Sequence, residues 1–144
     1  MRAGSLHESI VNFMEKYFNA FSRYAQIPET QSVMDQFYVP ELVNDDGFMP
    51  SREQWYRACL SHPTIQNVLV PDHFIVDTRQ KEVGALIRTQ YTNRATGEIL
   101  VELKMNVLYG LKIGPKKDIK IKKFRVFVES DPEKLNKMLK LFRK

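Results

Sequence analysis

Three histidines are the side chains of this sequence whose ordinary pKa lies near neutral pH. His73 and Asp77 lie in "VLVPDHFIVDTRQKEVGALI", residues 68–87, where a buried strand would use Val or Ile. Alternation puts Leu69, Pro71, His73, Ile75 and Asp77 on one face and Val68, Val70, Asp72, Phe74 and Val76 on the other. If the His73 face lines a pocket, its imidazole can act as general acid and base. The same residues fit a histidine at the wet end of a strand, bonded to backbone or to Asp72. Asp77 precedes Thr78-Arg79, where turn chemistry accounts for it. Asp45 and Asp46 lead into Gly47. A loop acid there can be a base over a cavity mouth, and Asp-Asp-Gly is also an ordinary turn.

Other chemistries have less to stand on. His7, His62 and His73 are never three or four residues apart, so zinc has no ready ligand pair and no metal is expected. A glycine-rich phosphate loop, a GxSxG elbow and a cysteine pair are all missing from the sequence, and no cofactor is expected. Cys59 has Arg57 nearby, but among Trp55, Ala58 and Leu60 it reads as a small core residue.

The elements that must position these groups are legible. Ser5 and Glu8 form a capping box, and Leu6, Ile10, Phe13, Met14, Tyr17, Phe21 and Tyr24 follow at helical spacing to near Gln26. A second short helix fits "TQSVMDQFY", stopped by Pro40, and "ELVNDDGF" reads as a short strand or extended piece running into a turn. Ser51 and Gln54 start a third helix that Pro63 ends. The period then changes to two, predicting strands over 65–78, 82–93, 98–111 and 118–129. In the last strand the apolar phase shifts from Ile119 and Ile121 to Phe124, Val126 and Val128, which predicts a bulge near Lys122-Lys123. "SDPEKLNKMLKLFRK" makes a final helix capped by Ser130 or Asp131, with Leu135, Met138, Leu139 and Phe142 as its stripe.

Helices followed by hairpin-connected strands is an α+β order. Three helices on one curved antiparallel sheet enclose a cone with an open mouth. In that order, and in "DHFIVD" with its return "KEVGALI" and "ILVELKMNVLYGLK" with "DIKIKKFRVFV", the chain resembles the SnoaL-like branch of the NTF2-like proteins over nearly its whole length. The pattern is similar to that of fungal polyketide and terpenoid isomerases, cyclases and dehydratases. The resemblance implies one NTF2-like domain over residues 1–144 and a cofactor-independent acid/base isomerase, cyclase or dehydratase. Its substrate would be a small apolar carbonyl compound held in the cone.

On that reading His73 carries the proton, helped by Asp45 or Asp46, and Tyr17, Tyr38, Trp55 and Tyr109 hold the substrate. Enzymes of this kind often place an Asp or His on the strand that here carries Met105 and Asn106, neither of which transfers a proton usefully. Glu102 serves only if its face is the pocket face. The alternative is a non-catalytic module that binds a ligand or a protein. Two titratable groups within reach of one ligand mark the enzyme, and a filled cone marks the module.

The charge of +5 is uneven. Residues 112–144 hold 12 Lys/Arg against 4 Asp/Glu, and residues 1–111 hold 10 against 13. A solvated basic face explains this better than nucleic-acid binding, for which no motif or aromatic platform is evident. No apolar run reaches membrane-spanning length, "MRAGSLHES" lacks a signal-peptide core, and the single cysteine fits a reducing cytoplasm. Strand 98–111 carries apolar side chains on both faces, Leu100 and Leu108 opposite Val101, Leu103 and Val107, which predicts a homodimer through the outer sheet face.

Overall fold

The computed structural model describes residues 5–44, 51–60, 64–116, 118–128 and 131–141. Helix α1 (Leu6–Tyr24) leads into a short 3-10 helix at Gln31–Gln36, then β1 (Tyr38–Asn44) and α2 (Arg52–Cys59). Four long strands follow, β2 (Ile65–Asp77), β3 (Glu82–Asn93), β4 (Ile99–Ile113) and β5 (Ile119–Val128), before α3 (Pro132–Leu141).

The helix starts follow their caps. The Ser5 hydroxyl accepts the Glu8 N–H at 3.1 Å and the Ser51 hydroxyl accepts the Gln54 N–H at 3.2 Å. Of the two candidates for the last cap, Asp131 accepts the N–H groups of Glu133 and Lys134. The buried stripe of α1 is Ile10, Met14, Tyr17, Phe18 and Phe21, laid against β2 and the sheet interior.

The sheet has five strands, not four, in the order β1-β5-β4-β3-β2. β1 runs parallel to β5, while the other pairs are antiparallel. Tyr38 and Pro40, expected in and just after a second helix, lie in this edge strand instead. A proline fits there because an edge strand leaves half of its N–H groups outside the ladder. The expected helix shrinks to the short 3-10 helix.

Bulges set which side chains face the cone. On β5, Gly110 of β4 pairs with Lys123 and Leu111 with Ile121, so Lys122 is the extra residue, where the sequence places it. On β2, Pro71 pairs with Ile87 but His73 with Leu86, so Asp72 is extra and the alternation reverses. Phe74 and Val76 therefore pack against the core, and Phe18 stacks on Phe74 at 6.0 Å.

The other edge strand, β2, is shielded by side chains of α1 and the residues after it. Gln26 donates to the Asn67 carbonyl and accepts its N–H, both at 2.6 Å, and the Ser22 hydroxyl accepts the Leu69 N–H at 3.0 Å. These side chains block strand pairing along the Asn67 to Leu69 part of the edge. Asp77, as turn chemistry predicts, accepts the N–H groups of Arg79 and Gln80.

Candidate functional site

The inner face of the sheet and α1 enclose a cavity of about 70 Å³, lined by Tyr17 and Phe21 of α1, Trp55 of α2, and inward side chains of β2 to β5. Asn67 and Leu69 reach it from β2, Ile87 from β3, Met105, Val107 and Tyr109 from β4, and Phe124 and Val126 from β5. Aromatic rings take up most of the cone. Tyr17 meets Phe37, Tyr38 and Tyr109 with centroids 5.6 to 5.7 Å apart, and Trp55 lies 4.7 Å from Phe124.

The polar atoms among these rings form one network. Trp55 Nε1 donates to the Tyr38 hydroxyl at 3.0 Å, the Tyr38 and Tyr17 hydroxyls share a proton at 2.6 Å, and Tyr109 bonds to Tyr17. An indole N–H can only donate, whereas a phenol gives one proton and accepts others. Three phenols and one indole bring four protons to three bonds. One hydroxyl proton is left over, and on Tyr17 or Tyr109, which line the cavity, it can serve a guest.

That proton does not dissociate near neutral pH. Burial pushes the Tyr17, Tyr38 and Tyr109 phenols well above their usual range; contact with Tyr38 raises Tyr17 further and contact with Tyr17 raises Tyr109, while the bonds from Tyr17 and Trp55 offset part of the rise at Tyr38. Burial also raises the Cys59 thiol, which behaves as the core residue its neighbours suggested. The cavity wall thus offers hydrogen-bond donors to a neutral acceptor. Among the described lining residues there is no carboxylate, imidazole or amine.

Three of the four expected substrate-holding residues, Tyr17, Trp55 and Tyr109, line the cavity together. Tyr38 is fully buried behind them and touches the cavity only through its hydrogen bonds. His73 is not with them. Its pairing with Leu86, an exposed outer-face residue, places it on the outside of the sheet, because the Asp72 bulge inverts the alternation that would have turned it inward. Asp45 and Asp46 lie outside the described residues. Glu102 is on the outer face, where it accepts from Gln90 at 2.8 Å and stands 3.7 Å from Arg88, itself paired with Asp72. Among the described residues, no group of three His, Cys, Asp or Glu side chains could hold a metal ion.

Sequence reasoning missed Asn67. Its signal was visible: alternation from Ile65 to Leu69 puts a polar residue on the inward face between two apolar ones.

No family model and no curated protein matches the sequence. Solved structures do. Nuclear transport factor 2 from Cryptosporidium parvum superposes with a TM-score of 0.65 at 10% identity, over 86% of this chain and 94% of its own. ActVI-ORFA from Streptomyces coelicolor gives 0.64 at 9% identity, over 89% of this chain and 98% of its own. A SnoaL-like polyketide cyclase from Agrobacterium tumefaciens gives 0.62 at 11% identity, over 95% and 99%. At these identities the likeness shows the fold, and this chain, with its helices on a curved five-stranded sheet, has the NTF2-like cone fold.

Proposed function

We propose that the cone binds, without turning it over, a compact apolar molecule carrying an oxygen acceptor. The observation that carries this reading is the lining itself, apolar and aromatic with a donor network whose phenols stay protonated. Ligand sites are built this way, from apolar walls with a few fixed polar atoms. General acid–base catalysis instead needs a group that ionises near the working pH.

Size narrows the ligand. The cavity is about 70 Å³, whereas benzene occupies an engineered cavity of about 150 Å³. A phenol-sized guest therefore displaces a wall. The wall held least firmly is α2, whose one fully buried residue is Cys59 and which presents half-buried Trp55 to the cavity.

Thermal unfolding with para-ethylphenol and with ethylbenzene tests the reading, since binding raises stability as ln(1 + [L]/Kd). The phenol should bind at least about threefold more tightly, the worth of one modest hydrogen bond. Failure of both compounds to raise the melting temperature overturns the proposal.

An isomerase, cyclase or dehydratase reading keeps one specific support. Protonated tyrosines can polarise a carbonyl, and Asp45 and Asp46 follow directly after β1, whose first residue, Tyr38, belongs to the donor network. Such an enzyme would take its base from Asp45 or Asp46, not from His73.

The protein is further proposed to act as a homodimer through the outer sheet face. In register, His73, Leu86, Asn106 and Phe127 form one row across that face, and Ile75, Gly84, Leu108 and Arg125 the next. Leu86, Leu108, Phe127 and Ile75 are 43%, 39%, 49% and 62% exposed, so α3 leaves them uncovered. A second copy is the simplest cover for an apolar face of this kind. The buried, free Cys59 suits a reducing compartment, and the cytoplasm is the proposed setting. Sedimentation equilibrium at micromolar protein checks the dimer, and a monomer there removes it.

A further inference from the structure

We propose that Asn67 is a second recognition pole of the cone, so that the ligand carries oxygen acceptors at two ends of an apolar body, one met by the tyrosines and one by the Asn67 amide. The inference rests on the reading of the cone as a ligand-binding cavity and deepens it.

Asn67 is fixed on every side but one. Its backbone N–H and C=O are both taken by Gln26. Its side-chain oxygen accepts the Thr89 hydroxyl at 2.6 Å. Thr89 is fully buried, and its single hydroxyl proton goes to Asn67. The oxygen is engaged with Thr89, and the NH₂ group is left for the cavity that Asn67 lines. Among the described residues no acceptor takes that NH₂. Among the described residues no buried side-chain nitrogen or oxygen lacks a partner, so this NH₂ is accessible and not sealed in the wall.

The strand register separates the two poles. Tyr109 pairs with Val83 near one end of β3, and Asn67 pairs with Tyr91 near the other. Between them the wall is apolar, made of Leu69, Ile87, Met105 and Val107. A molecule with one oxygen satisfies one pole and presents hydrocarbon to the other. A molecule with an acceptor at each end satisfies both.

The probes are para-hydroxybenzaldehyde and para-ethylphenol, alike in size and titrated at about pH 6, where both phenols keep their protons, against the fluorescence of the single tryptophan, Trp55. The aldehyde should bind about fivefold more tightly, the worth of one hydrogen bond. Asn67→Leu should abolish that preference, since only the aldehyde end meets the amide. Should Asn67→Leu fail to fold, the side-chain amide resonances of Asn67 in the unmodified protein decide. They should shift at saturation with the aldehyde and stay in place with para-ethylphenol. Equal affinities, a preference that survives Asn67→Leu, or amide resonances unmoved by the bound aldehyde overturn the second pole and leave the cavity reading standing. Binding of neither probe overturns the cavity reading, and this inference with it.

Discussion

The hydroxyls of Tyr17 and Tyr38 stand 2.6 Å apart, one on α1 and the other at the start of β1. This contact ties the first helix to the edge strand and holds the donor network together, since Trp55 reaches it only through Tyr38. Tyr38→Phe should leave the buried Tyr17 hydroxyl and the Trp55 N–H each short of a partner. The expected loss is about 1 to 3 kcal/mol of unfolding free energy. Urea denaturation measures it, and an unchanged midpoint would show that the network carries no weight in the fold.

Alkaline stability follows from the same burial. Tyr17, Tyr38, Tyr109 and Cys59 are all raised in the folded chain, chiefly by desolvation. Above the pH where the unfolded groups ionise, about 9 for the thiol and about 10 for the phenols, the unfolded state holds fewer protons than the folded one. Stability must then fall as pH rises, while below about pH 8 these groups contribute no slope. Denaturation midpoints collected between about pH 7 and about pH 11 should be level first and then decline. A level profile throughout contradicts the burial of the three phenols.

Gln26 offers a local test of how the β2 edge is closed. It is buried, and both ends of its amide are matched to the Asn67 backbone. Gln26→Ala strands a buried N–H and a buried C=O, at a cost of about 2 kcal/mol or more. Amide exchange at Asn67 should quicken more than exchange in the middle of β3. Equal protection in the variant and the parent would assign the edge to some other cover.

His73 and Phe127 separate the outside of the sheet from its inside. His73→Ala should leave the affinity for para-ethylphenol within about twofold, because His73 and the cavity lie on opposite faces. Phe127→Glu places a charge in the exposed apolar row and should weaken self-association without changing ligand affinity. Loss of binding in His73→Ala would return the histidine to the cone.

Much of this fold is legible in the sequence because period and capping carry it. Strands expected over 82–93 and 118–129 are found at Glu82–Asn93 and Ile119–Val128. Both bulges matter to the site, yet only one leaves a trace. At Lys122 the apolar phase visibly shifts from Ile121 to Phe124, while at Asp72 the run from Val68 to Val76 is apolar on both faces and hides its change of phase. The side of the sheet assigned to His73 was wrong for that reason. β1 was missed as a full strand because its partner, β5, is far along the chain and pairs in parallel, which leaves no hairpin signal. Tyr17, Trp55 and Tyr109 were legible as cavity residues because helix and strand spacing both turn them inward. The Asn67 to Thr89 bond was not, since it joins two strands through side chains that look unremarkable alone.

The central claim is that the cone recognises its ligand with protonated donors and no titrating group. Titrating para-ethylphenol into the protein by Trp55 fluorescence between about pH 5 and about pH 8 tests it most directly, since a carboxylate base or an imidazole would change state within or just below that window. The account predicts a dissociation constant that stays within about twofold across the range, as hydrogen bonds from phenols this far above neutrality require. An affinity that follows a titration midpoint near about 6.5, or one near about 4 to 5, would contradict it and put an acid–base residue in contact with the ligand.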